Sequence, residues 1–330
     1  MSTLSQPLVS VVVVLFNAEK TLKRAMDSLI VQTYANLEIL VIDDGSTDGS
    51  PSICDGYART DSRVHVIHQS NGGVSRARQT GLDQATGLYI THLDADDWIN
   101  PDMIEKMVRA IEEADADLLM VDYYEEFDNG TRRCKQNPGD NPTAPLALRK
   151  LFNFDLMGFC WNKLYRTDLC RKIGYHPDNI HFREDELFNA RFFTLNPKIA
   201  YLKEAFYHYD RSEQRISLSR ADKAKTYDTQ IFLVSEYEKL AGFCNVDEKD
   251  RVGLLFRRKK EILYDAVFIG KYSDLTLFPE IHPIVKANAF RDYWDFCLSV
   301  GLKGFPRLAH LLFRGGRVLF EWRKKLLNRF

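Results

Sequence analysis

The stretch GLYITHLDADDW, residues 87–98, places three carboxylates and a tryptophan at the end of an apolar segment. Residues 87–93 have the pattern of a buried strand. Side chains two apart on a strand share a face, so Asp94 and Asp96 can hold one hard cation or divide between a metal and a ribose. Ligands of open α/β sheets gather at the carboxyl ends of strands, so this position favours a binding site over an acidic turn that only caps the next helix.

Upstream of this stretch the chain alternates apolar strand patterns with amphipathic helix patterns. The strand patterns cover residues 8–16, 37–42 and 64–68, and the helix patterns cover residues 19–32, 48–59 and 74–85. This order predicts an α/β fold with a mostly parallel sheet flanked by helices on both faces. From about residue 221 the pattern is helical and charged. The sequence therefore predicts a C-terminal α-helical appendage.

Composition narrows the class of protein. The 330 residues suit one sizeable domain plus an appendage, and a net charge of -1 argues against nucleic-acid binding. The six cysteines show no metal-ligand or disulfide spacing. The N-terminal residues lack a signal-peptide pattern, and no apolar stretch is long enough for a membrane span. We therefore expect a cytoplasmic protein with reduced thiols.

Two further loops follow predicted strands. In the segment DDGSTD, residues 43–48, a carboxylate can accept the N–H of a pyrimidine ring or a ribose hydroxyl, although Ser46 or Asp48 can equally cap the next helix. In NGGVSRAR, residues 71–78, two glycines allow the backbone to approach a phosphate or a sugar. Arg78 lies about one helical turn further on and can face the same ligand.

Together these segments resemble the family 2 glycosyltransferases of bacterial polysaccharide and glycolipid synthesis, which have the GT-A fold. The matching segments are VSVVVVLFNA at 9–18, LVIDDGSTD at 40–48, NGG at 71–73 with Ala77, Arg78 and Gly81, and DADD at 94–97. The resemblance implies a catalytic domain over residues 1–215, with a donor-binding part at about 1–125 and an acceptor-side part at about 126–215. Residues 216–330 would form the helical region.

The resemblance also implies a UDP-sugar donor, a divalent cation (Mn²⁺ or Mg²⁺) and a set of donor-site residues. Phe16 takes the place of the usual aromatic residue near the base, and Val14 replaces the common proline of the family. Asp96 would ligate the metal directly, and Asp94 would reach the ribose or the metal through water. The other donor-site residues implied are Asn17, Asp43, Asp44, Asn71, Gly72, Gly73 and Arg78.

The catalytic base would lie elsewhere in the chain. An acceptor hydroxyl must lose a proton as it attacks the anomeric carbon, so a carboxylate is needed opposite the diphosphate. By resemblance, the pair Glu184-Asp185 supplies it, with Asp185 as the base. The alternative is an ordinary acidic first turn of a helix, which the helix dipole favours.

Weaker resemblances concern the acceptor and a third metal ligand. The segment Trp161-Asn162-Lys163 resembles the acceptor side of related bacterial enzymes, where an indole stacks on a sugar; a core tryptophan is the alternative. His208 is a candidate third metal ligand, with a structural histidine as the alternative. Arg211 or Arg215 is a candidate for contact with the diphosphate.

The C-terminal segment differs in charge from the rest of the chain. Residues 301–330 carry eight Lys and Arg against one Glu, interleaved with Leu, Phe and Trp. This pattern is typical of an amphipathic helix on an anionic membrane surface. The alternative is a helix packed on the catalytic domain or in an oligomer.

The sequence therefore predicts an inverting, metal-dependent glycosyltransferase, peripheral on the cytoplasmic face of the membrane. It would transfer a sugar from a UDP-sugar to a glycan or lipid-linked acceptor. A nucleotidyltransferase is a weaker alternative, because Leu15-Phe16-Asn17-Ala18 is not a glycine-rich, lysine-containing loop. A non-catalytic, membrane-associated scaffold that binds the nucleotide-sugar is the remaining alternative.

Overall fold

The computed structural model describes residues 6–175, 180, 182–212, 223–244, 253–288, 293–304 and 306–312. The chain forms two compact units, Met1–Leu218 and Ser219–Phe330. The first unit is α/β and the second is helical, as the sequence predicted.

A nine-stranded sheet forms the centre of the first unit. The strands are β1 (Val9–Leu15), β2 (Leu37–Asp43), β3 (Val64–His68), β4 (Tyr89–Asp94), β5 (Trp98–Ile99), β6 (Leu118–Phe127), β7 (Gly130–Cys134), β8 (Lys163–Arg166) and β9 (Ile199–Asp210). Their order is β3-β2-β1-β4-β8-β6-β9-β5, with β7 paired to β6 as a hairpin. The first four strands in this order are parallel. Their carboxyl ends therefore meet at one edge of the sheet.

The second half of the sheet is mixed. Strand β8 runs antiparallel to both β4 and β6, whereas β9 runs parallel to β6. The short strand β5 pairs antiparallel with the end of β9. This pairing returns the chain to the segment that follows β4, so the acidic turn after β4 lies beside the end of β9.

Helices flank the sheet of the first unit. They are α1 (Leu22–Ile30), α2 (Ser50–Thr60), α3 (Val74–Gln84), α4 (Met103–Glu113), α5 (Ala144–Phe152), α6 (Thr167–Ile173) and α7 (Glu184–Phe193). Helix α3 packs closely on β1, because a Cβ added at Gly81 would lie 2.4 Å from Cγ1 of Val12. This close approach holds the second half of α3 tightly against β1.

The core of the first unit follows the sequence pattern. Val9, Val11 and Val13 of β1 are buried, and α4 buries a stripe spaced three and four residues apart from Met103 to Ile111. Burying each such side chain contributes about 1.5–3 kcal/mol, so the sheet provides a rigid base for the loops at its edge.

The second unit has α8 (Lys223–Leu240), α9 (Phe256–Ile269), α10 (His282–Asn288) and α11 (Tyr293–Leu302), with no strand among its described residues. Tyr227, Leu263 and Leu298 belong to its core. In the part of the chain that the structure describes, no helix is long and apolar enough to cross a membrane. Of the basic segment at 301–330, residues 305 and 313–330 lie outside the described residues.

Candidate active site

The carboxyl ends of β2, β1 and β4 lie side by side and gather the predicted donor-site residues. Leu15 pairs with Asp43, and Val14 pairs with Asp94. Phe16 follows directly after β1 with 52% of its surface exposed, so its ring is accessible to a ligand. The parallel register thus brings Phe16, Asp43 and Asp94 to one edge.

Asn17 connects the loop after β1 to the loop after β2 through hydrogen bonds. Its backbone φ is +52°, its N–H donates to Oγ of Ser46 at 2.9 Å, and its Oδ1 accepts the Thr47 N–H at 2.8 Å. Asp43 is buried, accepts the Ser46 N–H at 3.0 Å and lies 2.7 Å from Nδ1 of His68. This carboxylate raises the pKa of His68. Asn17 and Asp43 therefore hold the loops after β1 and β2 in place.

Asp44 organises the glycine-containing loop. Its two carboxylate oxygens accept the N–H of Gly72 at 2.9 Å and of Gly73 at 2.7 Å, and Oδ1 also accepts from Gln69. Gly45, at φ +80°, could not carry a side chain, because a Cβ would lie 2.7 Å from the backbone nitrogen of Asn71. Asn71 itself is exposed at the rim of this loop.

Arg78 joins three parts of the site. Its guanidinium is buried; Nη2 lies 3.1 Å from Oδ1 of Asp94, and Nη1 forms a short ion pair with Oε1 of Glu184. Burial alone would lower the pKa of Arg78, but the charges of Glu184 and Asp94 raise it well above its ordinary value. Nε of Arg78 is buried with no hydrogen-bond partner in the described structure. Arg78 thus links the end of β4 to the start of α7.

Asp94, Asp96 and Asp97 form an acidic cluster in which one carboxylate oxygen of each lies within 4.8 Å of the others. Asp97 is completely buried and accepts the hydroxyl of Tyr207 at 2.7 Å and the N–H of Asp210 at 2.9 Å. Asp94 and Asp96 are only partly buried. Carboxylate oxygens suit Mg²⁺ and Mn²⁺, so this pair fits a divalent cation, with Asp97 fixing the turn that carries it.

Asp185 lies in the first turn of α7. The residue before the helix, Arg183, has a left-handed φ of +58°, which turns the chain sharply into α7. Desolvation of its carboxyl group, and then the charge of Glu184, raise the pKa of Asp185 to about 8, while Arg78 opposes the rise. A carboxylate with a raised pKa is a stronger base than an ordinary aspartate, as general-base chemistry near neutral pH requires.

The structure does not place Trp161 as a sugar platform. The indole is 2% exposed and lies between two rings, with Tyr207 at 4.1 Å and Phe159 at 4.5 Å between centroids. Both faces are therefore covered, and Trp161 belongs to the core, the alternative that the sequence left open.

Asn162 and Lys163 are also buried rather than facing an acceptor. Asn162 donates to the carbonyl of Val121 at 3.0 Å. The Lys163 ammonium donates to the carbonyls of Met157 and Phe159 and to Oδ1 of Asn162, at 3.1, 2.5 and 3.0 Å. These three acceptors use all of its donors, so Lys163 holds the 157–159 turn.

His208 is not oriented as a metal ligand. Its Nδ1 lies 2.7 Å from Glu126 and its Nε2 lies 2.8 Å from Asn100, so both nitrogens have other partners. The ring stacks on Trp98 with a centroid distance of 5.1 Å. His208 therefore ties the acidic turn to β9. The Arg211 guanidinium lies 5.4 Å from the ring centroid of Tyr209, and Arg215 lies outside the described residues.

Sequence reasoning missed Arg24. Its Nη2 donates to the backbone carbonyl of Asp96 at 2.6 Å and to Oδ2 of Asp210 at 2.7 Å, and its guanidinium lies 4.0 Å from the ring centroid of Trp98. Arg24 thus clamps the acidic turn from α1. No sequence signal points to it, because a basic residue in an amphipathic helix is most often solvated.

Comparisons with known proteins agree with this architecture. Residues 10–174 match the family model of Glycosyl transferase family 2. Glycosyltransferase GlyG of Streptococcus pneumoniae is 31% identical over 280 residues, covering 82% of this chain and 91% of that protein. The crystal structure of S. aureus TarS (1–349) in complex with UDP-GlcNAc has a TM-score of 0.64 at 19% identity, covering 94% and 92% of the two chains.

A second solved structure has the same fold. The mannosyltransferase PcManGT of Pyrobaculum calidifontis, in complex with GDP-Man and Mn²⁺, has a TM-score of 0.51 at 16% identity, covering 93% of this chain and 86% of that one. The fold and its acidic strand-end site define a glycosyltransferase with a GT-A fold. The chain belongs to glycosyltransferase family 2.

Proposed function

We propose that this enzyme is inverting and metal-dependent, and moves a sugar from a UDP-sugar to a hydroxyl of a glycan or lipid-linked oligosaccharide in cell-surface polysaccharide synthesis. The observation that carries the proposal is the meeting of Asp94, Arg78 and Glu184 at the strand edge, with Asp185 next in the chain. UDP-GlcNAc in the TarS complex, and GDP-Man with Mn²⁺ in the PcManGT complex, support the classes of donor and metal.

The donor pocket would extend along the edge from β2 to β4. The exposed Phe16 ring offers a flat apolar face to the uracil base. The glycine loop that Asp44 holds would approach the ribose, with exposed Asn71 at its rim. Arg78 would stabilise the diphosphate indirectly, because it fixes Asp94 while keeping a positive charge within the pocket.

Asp94 and Asp96 would hold the divalent cation. When bound, the cation offsets the negative charge that grows on the departing UDP, without a proton donor. Asp97 and Arg24 keep the turn in one conformation, so that Asp94 and Asp96 need little rearrangement on binding.

Asp185 would act on the acceptor. Its carboxylate takes the proton of the attacking hydroxyl as the acceptor oxygen bonds to the anomeric carbon and the bond to UDP breaks. The raised pKa of Asp185 helps it to hold that proton. The single displacement inverts the anomeric configuration, as the family resemblance implies.

We also propose that the basic C-terminal segment binds an anionic membrane surface. Leu308 and Leu311, near its start, are 49% and 67% exposed, and six of its eight basic residues follow Leu312. Co-sedimentation with phosphatidylglycerol vesicles tests this, comparing the wild type with a full-length variant in which Arg323, Lys324 and Lys325 are replaced by Glu. Equal pelleting of both proteins would contradict membrane binding through these charges.

A turnover assay tests the proposed reaction. UDP release is measured with a panel of UDP-sugars, candidate acceptors and Mn²⁺, and UDP binding is followed by calorimetry. Asp96→Ala should lose the Mn²⁺-dependent part of UDP binding, whereas Asp61→Ala, at the end of α2 away from the edge, should not. Turnover in the wild type would exclude a non-catalytic scaffold. Metal-independent turnover would overturn the assignment of the acidic cluster.

A further inference from the structure

Three aromatic rings form a continuous stack that runs out of the core. Tyr207 and Trp161 are nearly parallel, with an interplanar angle of 15°, and Trp161 and Phe159 are parallel within 14°. Tyr207 and Trp161 are buried, whereas Phe159 is partly exposed. Phe159 is therefore the outermost ring of the stack.

Phe159 packs against the core with part of its surface still exposed. Tyr123 meets its ring edge-on at 88°, and Tyr209 is tilted by 41° at 6.0 Å. In the described ranges, the only ring that stacks on Phe159 is Trp161, on the inner face. The side chain of Met157, two residues earlier on the same turn, is 39% exposed. The turn thus carries a partly exposed aromatic ring close to a flexible, exposed apolar side chain.

This turn packs against the residues that carry the proposed base. A Cβ added at Gly158 would lie 2.7 Å from Cα of Glu186, so the turn touches the first turn of α7. Nδ2 of Asn189 donates to the carbonyl of Gly158 at 2.7 Å and to that of Asp185 at 2.8 Å. Phe159 is therefore held close to Asp185 through shared backbone contacts.

Lys163 gives this turn a fixed shape. Its buried ammonium donates to the carbonyls on either side of Gly158, those of Met157 and Phe159. Two hydrogen bonds from one charged donor restrict the backbone of a three-residue turn, since bonds from charged groups are the stronger ones. The aromatic face is thus preorganised rather than mobile.

We propose that Phe159, with Met157, forms an acceptor subsite that binds the apolar C–H face of a pyranose ring and so directs its hydroxyl toward Asp185. This rests on the proposed function, because it is the base at Asp185 that makes this surface the acceptor side. A flat aromatic ring covers the C–H face of a sugar while leaving the equatorial hydroxyls at the rim, where one of them can reach a carboxylate.

Steady-state kinetics with varied acceptor test the subsite. Phe159→Leu keeps an apolar side chain but removes the ring, and should raise the acceptor KM about two- to tenfold, the range that an aromatic contact supports. Phe159→Tyr keeps the ring and should remain within about twofold of the wild type. Phe127→Leu, at the partly buried tip of the β6–β7 hairpin, is the matched control and should leave the acceptor KM unchanged.

UDP affinity and Tm are measured on the same variants. They distinguish a loss of acceptor binding at Phe159 from a general structural effect of the substitution. UDP affinity with Mn²⁺ should be the same in Phe159→Leu and the wild type, and Tm shows how far the stack on Trp161 is disturbed. An unchanged acceptor KM in Phe159→Leu, whatever its Tm, would overturn the subsite. An equal loss of UDP affinity would overturn it as well. Absence of turnover in the wild type would instead count against the proposed function.

Discussion

Removal of the buried charge at Arg78 should destabilise the first unit strongly. Arg78→Met retains much of the apolar volume but leaves Glu184 and Asp94 without the cation between them. The side chain of Arg78 is 5% exposed, that of Glu184 is 11% exposed and that of Asp94 is 25% exposed. The two carboxylates would then face each other in a poorly solvated space.

The expected magnitude follows from this burial. Breaking a buried ion pair by removing one partner costs about 3–5 kcal/mol of unfolding free energy. Partial solvation of Asp94 places the expected loss near the lower end, at about 3 kcal/mol. For a folding unit of this size, Tm falls by about 2–4 °C per kcal/mol, so Arg78→Met should lower it by about 6–12 °C.

Thermal and urea unfolding measure this effect. Arg76→Met is the matched control, because Arg76 is exposed on the same helix, and it should change the unfolding free energy by less than about 0.5 kcal/mol. Adding Glu184→Gln to Arg78→Met removes the more buried carboxylate charge and should recover about half of the loss. A Tm decrease below about 2 °C for Arg78→Met, or no recovery in the double variant, would contradict a stabilising role for the Arg78 charge.

Other parts of the site give separate predictions. The pKa of Asp185 is raised to about 8, and the base must be unprotonated to act, so kcat/KM should rise with pH up to about 8. A kcat/KM that is constant from about pH 6 to 8 would contradict this. Asp97→Asn should loosen the turn and so raise the Mn²⁺ concentration needed for half-maximal UDP binding about tenfold, as a Mn²⁺ titration would show. An unchanged half-maximal concentration would argue against a supporting role for Asp97. Lys163→Met should lower the unfolding free energy by about 2–4 kcal/mol, because the carbonyls of Met157 and Phe159 lose their donor. Urea unfolding measures this loss, and a value below about 1 kcal/mol would contradict the prediction.

The sequence predicted the parallel half of the sheet well, for a local reason. Strands β1 to β4 are short apolar runs separated by amphipathic helices, and this alternation depends only on neighbouring residues. The mixed half was not predicted. Strand β9 pairs with β6, which is about 80 residues away in the sequence, and with β5, which is about 110 residues away. A local sequence pattern does not predict pairing between such distant segments.

The structure brings the predicted site residues together where the backbone decides their position. Asp94 ends β4, and Arg78 lies one turn inside α3, which packs on the neighbouring strands β1 and β2, so their meeting follows from the fold. The pattern around Trp161 could not show which aromatic ring would be covered, because Tyr207 reaches it from a strand about 45 residues away. Lys163 and His208 were misjudged for the same reason, since their partners are set by tertiary packing and not by residue type.

The role of Asp185 as the catalytic base is tested most directly by comparing transfer and donor binding in Asp185→Asn. The variant is assayed for UDP release with the acceptor present and, in the same preparation, for UDP binding with Mn²⁺. We expect native UDP affinity with transfer reduced about 10²- to 10⁴-fold, the contribution expected of a general base. Transfer at a rate close to that of the wild type would contradict the assignment of Asp185 and the mechanism built on it.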